Sequence, residues 1–393
     1  MLTLTVTITL VGCVSYVDLS DRAIVQAIGI DYLPDKKVYR ISMQYFNQSS
    51  EGGQNQIDKT QDNVLKSVGE GESIFAAAKN ASMLTGKDLL LSENRLIIIG
   101  KELRKYKLCD TLEFFVGNYH SHPQAYVAAA EDTAEELLDI RFKEGSTSSQ
   151  RLANLIHNAS VESRNKSTYP YQVMTMLCTS TESAFLPLLT TATLKTDVTI
   201  PKETGGGKGN GGGEEQSEDG EKTIILDGGV VFKGGKELCR VDDDGAMAIF
   251  FMNDMPSEYS FTVPLGQNAK PSVMLIGVTR SIKATEYNGK VKFDVSFSAS
   301  GKIGSKGGMK EDEKKAAEKV AEPAERELKR KIESSMIPIA EKGCDVFGLE
   351  NTLRRCCNRF YRENMDRVGE IIAESEIEVN VNIDIFSQGI GGA

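Results

Sequence analysis

From Ala23 to Asp31 the chain is almost unbroken apolar residue (Ala23-Ile-Val-Gln-Ala-Ile-Gly-Ile-Asp31), the pattern of a buried strand. Tyr39, Ile41, Met43 and Tyr45 then alternate with polar neighbours, which predicts a strand with one face covered. Pro34-Asp35-Lys36-Lys37 supplies turn chemistry between them, so the two strands are expected to form a hairpin. Residues 47–62, rich in Asn, Gln, Ser and Gly, read as a loop. The period then changes. Ile74, Ala77, Ala78, Ala81 and Leu84 recur at helical spacing behind Ser73, whose hydroxyl can cap the first free N–H groups. Leu96-Ile-Ile-Ile-Gly100 predicts a central strand, Ala134, Leu137 and Leu138 a short helix, and residues 148–180 a mainly helical segment interrupted at Pro170.

Farther along, Val230-Val-Phe-Lys233 reads as a strand, and Val291, Phe293, Val295 and Phe297 alternate on one face of another. Residues 311–336 read as a charged helix with a narrow stripe of Ala317, Val320, Ala321, Ala324, Leu328 and Ile332. Pro323 lacks the N–H that an inner turn needs and is expected to kink this helix or divide it. A further helix covers about residues 349–370, and Ile377, Val379, Val381, Ile383 and Ile385 alternate with Glu, Asn and Asp as a last strand. The whole predicts a multi-domain α+β chain, mixed sheets flanked by helices, in at least two units.

The clearest break lies at 201–222. Seven of the ten residues 204–213 are glycine, and five acids follow between Glu214 and Glu221. Such a stretch cannot bury enough apolar surface to offset its ordering entropy. It is expected to be a flexible Gly-rich linker that lets a C-terminal domain, residues 223–393, move relative to an N-terminal region, residues 14–200. It does not read as a phosphate loop: Lys202 stands where the first Walker glycine should be, and Gly209 where a Ser or Thr should hold magnesium.

Among 393 residues, 56 acids against 46 bases give a net charge of −10, which argues against nucleic acid as a partner because no dense Lys/Arg footprint is available to displace phosphate counterions. Seven cysteines at irregular spacing do not make a disulfide framework; Cys109, Cys178, Cys239, Cys344, Cys356 and Cys357 are expected to be ordinary thiols. His120-Ser121-His122 is the one histidine pair, with Pro123 after it and no acid or cysteine close by, so it reads as a turn rather than a metal site. Asp242-Asp243-Asp244-Gly245 is a turn rather than a calcium loop, since no glutamate falls at the needed offset. Gly-x-Ser-x-Gly, His-Glu-x-x-His and phosphate-loop patterns do not occur, which leaves no catalytic residue, cofactor or metal to assign.

Residues 1–13 carry the most specific signal. About twelve uncharged residues are too short to span a bilayer yet fit the apolar core of a secretory signal. They end in Leu10-Val11-Gly12-Cys13, which resembles the bacterial lipobox, so Cys13 is expected to be acylated and to become the new amino terminus. The segment lacks the usual Lys or Arg, as a start codon placed too far downstream would explain. Nine residues, 14–22, separate Cys13 from the first strand and reach at most roughly 30 Å.

Four stretches, taken together, resemble the Ger(x)C family, the lipoprotein C subunits of bacterial spore germinant receptors. They are Gly12-Cys13 with Asp18 to Val25 and Ile28-Gly29-Ile30-Asp31; Asn94-Arg95-Leu96-Ile97-Ile98-Ile99-Gly100-Lys101-Glu102; Gly228-Gly229-Val230-Val231-Phe232-Lys233; and Cys344-Asp345-Val346-Phe347-Gly348-Leu349. The sequence departs from the family's pattern at Val14-Ser15, where Trp-Asp is usual, and at Ser92-Glu93-Asn94, where a histidine is usual. The resemblance implies three α+β domains and a non-enzymatic subunit on the outer face of the spore inner membrane. Its partners would be membrane lipid, through acylated Cys13, and membrane-embedded A and B type receptor subunits. The alternative is a lipid-anchored extracytoplasmic protein that binds a small molecule itself.

Overall fold

The structure is a computed structural model and describes residues 21–46, 64–106, 108–117, 121–142, 147–194, 221–266 and 269–386. Strands β1 (Arg22–Leu33) and β2 (Val38–Phe46) form the expected hairpin, with Ile30 opposite Ile41 and Leu33 opposite Val38. β3 (Val64–Gly71) continues the sheet beyond β2. Helix α1 (Ile74–Thr85) then runs back over it, capped by Ser73, whose Oγ accepts the Ala76 N–H at 3.1 Å.

The chain next lays down β4 (Asp88–Leu90), β5 (Leu96–Ile99), α2 (Leu108–Gly117), β6 (Tyr126–Ala130), α3 (Ala134–Asp139), α4 (Ser148–Val161), α5 (Pro170–Leu177) and β7 (Ala184–Leu194). β8 (Glu221–Lys233) and β9 (Lys236–Val241) complete a sheet in the order β3-β2-β1-β5-β6-β7-β8-β9, with β4 beside the start of β1. The unbroken apolar runs of β1 and β5 follow from cover on both faces. Ile28, Ile30, Ile97 and Ile99 pack with Ala77, Leu112 and Val173, while Ala27, Leu96 and Ile98 pack with Leu137, Leu152 and Ile156.

Helix α6 (Asp243–Asn253) leads to a second sheet, β10 (Glu258–Thr262), β11 (Ser272–Tyr287), β12 (Lys290–Ser305) and β13 (Glu376–Ile385), in that spatial order. Between β12 and β13 lie α7 (Glu313–Ala340), α8 (Leu349–Cys356), α9 (Asn358–Glu363) and α10 (Val368–Glu374). The described strands thus make two sheets where three sheet-and-helix units were implied.

Four expectations change. β7 and β8 are antiparallel neighbours, from Leu194 opposite Glu221 to Ala184 opposite Phe232. Residues 195–220, outside the described residues, therefore join two adjacent strands of one sheet, and residues 221–241 belong to the first sheet. The expected independent motion of two halves about this segment is corrected, because ladder hydrogen bonds tie its two ends together. Composition cannot separate a domain linker from a long strand connection, since both need only remain unburied.

Pro323 neither divides nor ends α7, which runs through it. The stripe of Val320, Ala324, Leu328, Ile332 and Met336 is fully buried, and that packing holds the helix across the missing hydrogen bond. The helix expected over 349–370 is broken at Cys357, whose thiol donates to the Ala284 carbonyl at 3.5 Å, and again at Asn364. Leu84, counted on the covered stripe of α1, is instead 74 % exposed.

Candidate functional site

The stretches that carry the family resemblance converge on two places. In the first, Asp31 ends the apolar core of β1 and turns its carboxylate to the start of α3. Its Oδ1 accepts the Ala134 N–H at 2.8 Å and its Oδ2 the Glu135 N–H at 3.1 Å, satisfying free donors of a helix more than 100 residues away. Burial pushes the Asp31 carboxyl above the usual carboxylate range, with those two N–H groups pulling the other way. Gly29 lets α3 approach: a β-carbon there would meet Ala134 Cβ at 3.0 Å. Gly100, from the second stretch, leaves room for the carboxylate itself, because a β-carbon there would lie 1.9 Å from Asp31 Oδ1. Thr133 caps the same helix, and Glu135 is ion-paired to Arg40 at 2.6 Å and Lys66 at 3.0 Å.

The second place is the seam between the two sheets. Asp345 is buried, and its Oδ1 accepts the N–H groups of Phe347 (3.2 Å) and Leu349 (2.8 Å), its Oδ2 that of Glu350 (2.7 Å). Gly348 between them has φ +76°, the left-handed region that favours glycine. The Asp345 N–H donates to Ser183 Oγ at 3.0 Å. Glu350 Oε1 in turn accepts from Ser180 N–H (3.2 Å), Ser180 Oγ (2.7 Å) and Tyr361 Oη (3.0 Å). The Cys344 thiol, which burial pushes up to about 12, donates to the Phe232 carbonyl, and Lys233 Nζ donates to the Lys342 carbonyl at 2.6 Å.

A further ion pair and a hydrogen bond support the same boundary. Lys166 pairs across it with Asp254 at 2.6 Å, while on the first-sheet side Asn165 Nδ2 holds the strand that faces the joint by donating to the Gly228 carbonyl at 2.7 Å. Gly228 has φ +57°, and a β-carbon on Gly229 would strike the Phe185 ring. Gly228 to Lys233 and Cys344 to Leu349, far apart in sequence, thus face each other across one joint. An aspartate three residues before a glycine that opens a helix is a signal that could have marked this cap, which is named from the sequence only as part of a family-like stretch; its partner Ser183, 162 residues away, left none in the sequence.

Other candidates fall to structural roles. Asp242 caps α6, its carboxylate accepting the Gly245 N–H at 2.9 Å, and Asp312 caps α7 likewise at 2.9 Å. His122 Nδ1 accepts the Gln124 N–H within a turn, while His120 lies outside the described residues. Among the described residues no group of three His, Cys, Asp or Glu is placed to hold a metal ion, and no helix is long and apolar enough to cross a membrane. Cys13 also lies outside the described residues.

Two α+β layers joined by a buried, hydrogen-bonded seam define the fold. Residues 15–191 match the family model for the spore germination protein N-terminal domain, and residues 227–389 that for the spore germination B3/GerAC-like C-terminal domain. The chain belongs to this family, Ger(x)C, the C subunits of spore germinant receptors. No curated protein sequence matches it. Among solved structures, the crystal structure of the GerBC protein superposes with a TM-score of 0.52 over 92 % of this chain and 97 % of that one, at 13 % identity, a likeness of fold.

Proposed function

We propose that this chain is a non-enzymatic subunit held to the outer face of the spore inner membrane through acylated Cys13, acting there with membrane-embedded A and B type partner subunits to trigger germination. The carrying observation is the family match over both halves in order, joined to a lipobox a few residues before the first strand. β1 begins at Arg22, so the first sheet is tethered within roughly 30 Å of the acyl chains. The buried carboxylates that would suggest chemistry, Asp31 and Asp345, are occupied by backbone N–H groups. The test is germination of spores whose own copy carries Cys13→Ala, beside spores lacking the gene. Loss of nutrient-triggered germination in both, with sporulation intact, supports the reading; full germination in the deletion overturns it.

A second reading, direct binding of a small molecule, is favoured by a cleft of about 420 Å³ beside the seam. Leu155, Ile225 and Met247 give it an apolar wall, Asp243, Asp244 and Tyr259 polar groups, and Asn165, which also lines it, keeps a buried Oδ1 without a partner. Calorimetry of the mature chain with amino acids decides it: saturable heat lost in Tyr259→Ala supports binding, and no heat rejects it.

A further inference from the structure

We propose that the end of the first sheet nearest the tether, with the last turn of α1 at its tip, rests on the lipid surface. Exposed apolar side chains gather there. Met83 and Leu84 are 71 % and 74 % exposed in the last turn of α1; Leu65, at the start of β3, and Phe46, at the end of β2, are 40 % and 38 % exposed. Register places all four at one end. Phe46 pairs with Val64, and α1 runs back along β3 so that Ser67 Oγ donates to the Ala81 carbonyl and Leu65 lies one step farther on, toward Leu84.

The tether arrives at that same end. β1 pairs with β2 so that Val25 lies opposite Tyr45, and β4 pairs with β1 so that Asp88 lies opposite Arg22. Four residues along the chain from Leu84 to Asp88 span at most roughly 15 Å. Residues 14–21 span at most roughly 30 Å. An acyl-anchored Cys13 therefore brings this end, and not the opposite one, to the bilayer. Lys79, exposed one turn before Met83, and Lys87 just beyond the helix set cations beside the apolar tip, as a surface that meets lipid headgroups requires. The inference deepens the anchored reading and rests on it.

The chain has no tryptophan, so single substitutions report single places. Leu84→Trp puts an indole at the tip; Tyr287→Trp puts one at the β11–β12 turn on the second sheet, where Tyr287 is 76 % exposed. The mature chain from residue 14 is held by an amino-terminal hexahistidine to nickel-chelating lipid in phosphatidylglycerol–phosphatidylethanolamine vesicles. This delivers it to the bilayer whether or not Cys13 is acylated, and acylation is read separately by mass, so the two failures are distinguishable. The L84W protein is expected to show a blue-shifted emission that lipids brominated in the acyl chain quench, and to lose both when Met83→Asp is added. The Y287W protein is expected to stay water-like and open to aqueous iodide. Water-like emission from L84W on vesicles overturns the proposal, as does equal quenching of both proteins. Unchanged melting of each variant confirms that the fold is intact.

Discussion

A β-carbon at Gly100 would lie 1.9 Å from Oδ1 of Asp31, the oxygen that accepts the first N–H of α3. Two stretches separated by some seventy residues thus make one device: a carboxylate that caps a helix across the sheet, and a glycine that leaves space for it. Gly100→Ala must displace the carboxylate or the strand, and an overpacked site of this kind costs about 1–3 kcal/mol. Gly117→Ala, at a glycine where the added carbon meets no described atom within 4 Å beyond its chain neighbours and own helix, is expected to change stability by no more than about 0.5 kcal/mol. Urea denaturation of the two variants beside the parent checks the contrast.

Asp345→Asn keeps the size of the side chain but turns an amide NH₂ toward one of three N–H donors. Leaving a buried donor unmet costs about 1–3 kcal/mol. Because Asp345 and Glu350 hold Ser183 and Ser180 of the other layer, the variant is also expected to loosen the joint, seen as faster amide exchange at residues 180–183 and 345–350. Protection equal to the parent at these amides would show that the cap does not hold the seam.

The buried Asp31 carboxyl supplies a pH dependence of known sign. Its native pKa is raised, so between the unfolded value near 3.8 and that raised value the folded chain binds more protons than the unfolded one. Stability from this group is full below the unfolded pKa and declines as pH rises through the native one. The difference in unfolding free energy between the parent and Asp31→Asn should therefore change with pH across that window and level off above it. A difference that is flat from pH 3.5 upward would contradict the assignment.

Much of this architecture is legible in the chain because local pattern and tertiary cover agree. The run from Ala23 to Asp31 is apolar because β1 is covered on both faces, and Ser73 caps α1 as its position predicts. What stayed hidden depends on distant partners. The apolar spacing of Leu84 fits the buried stripe of α1, but at the last turn of the helix its side chain is left exposed. Pro323 reads as a kink or a division, and the division is not found, because one residue's propensity is visible in sequence while the burial of Ala324 and Leu328 is not. Asp31 reads as a strand-end acid, since its partners Ala134 and Glu135 lie a hundred residues on. The proposed lipidation site Cys13 is read from its own neighbours, whereas the seam needed two segments brought together.

Pro323 offers a direct measure of that override. An inner proline costs a helix about 3 kcal/mol relative to alanine, through the lost hydrogen bond and the clash with the preceding turn. Pro323→Ala is expected to raise stability by about 1–3 kcal/mol. A loss of stability would mean that the proline is required for packing at this point of α7.

The anchor is the hinge of the functional reading, and the intact mass of the native chain, expressed from its own upstream region in a spore former, tests it most directly. A mature protein that begins at Cys13, carries the mass of a diacylglyceryl group and fractionates with membranes, while Cys13→Ala does neither, is the expected result. An unmodified amino terminus on a chain that stays out of the membrane fraction would contradict it.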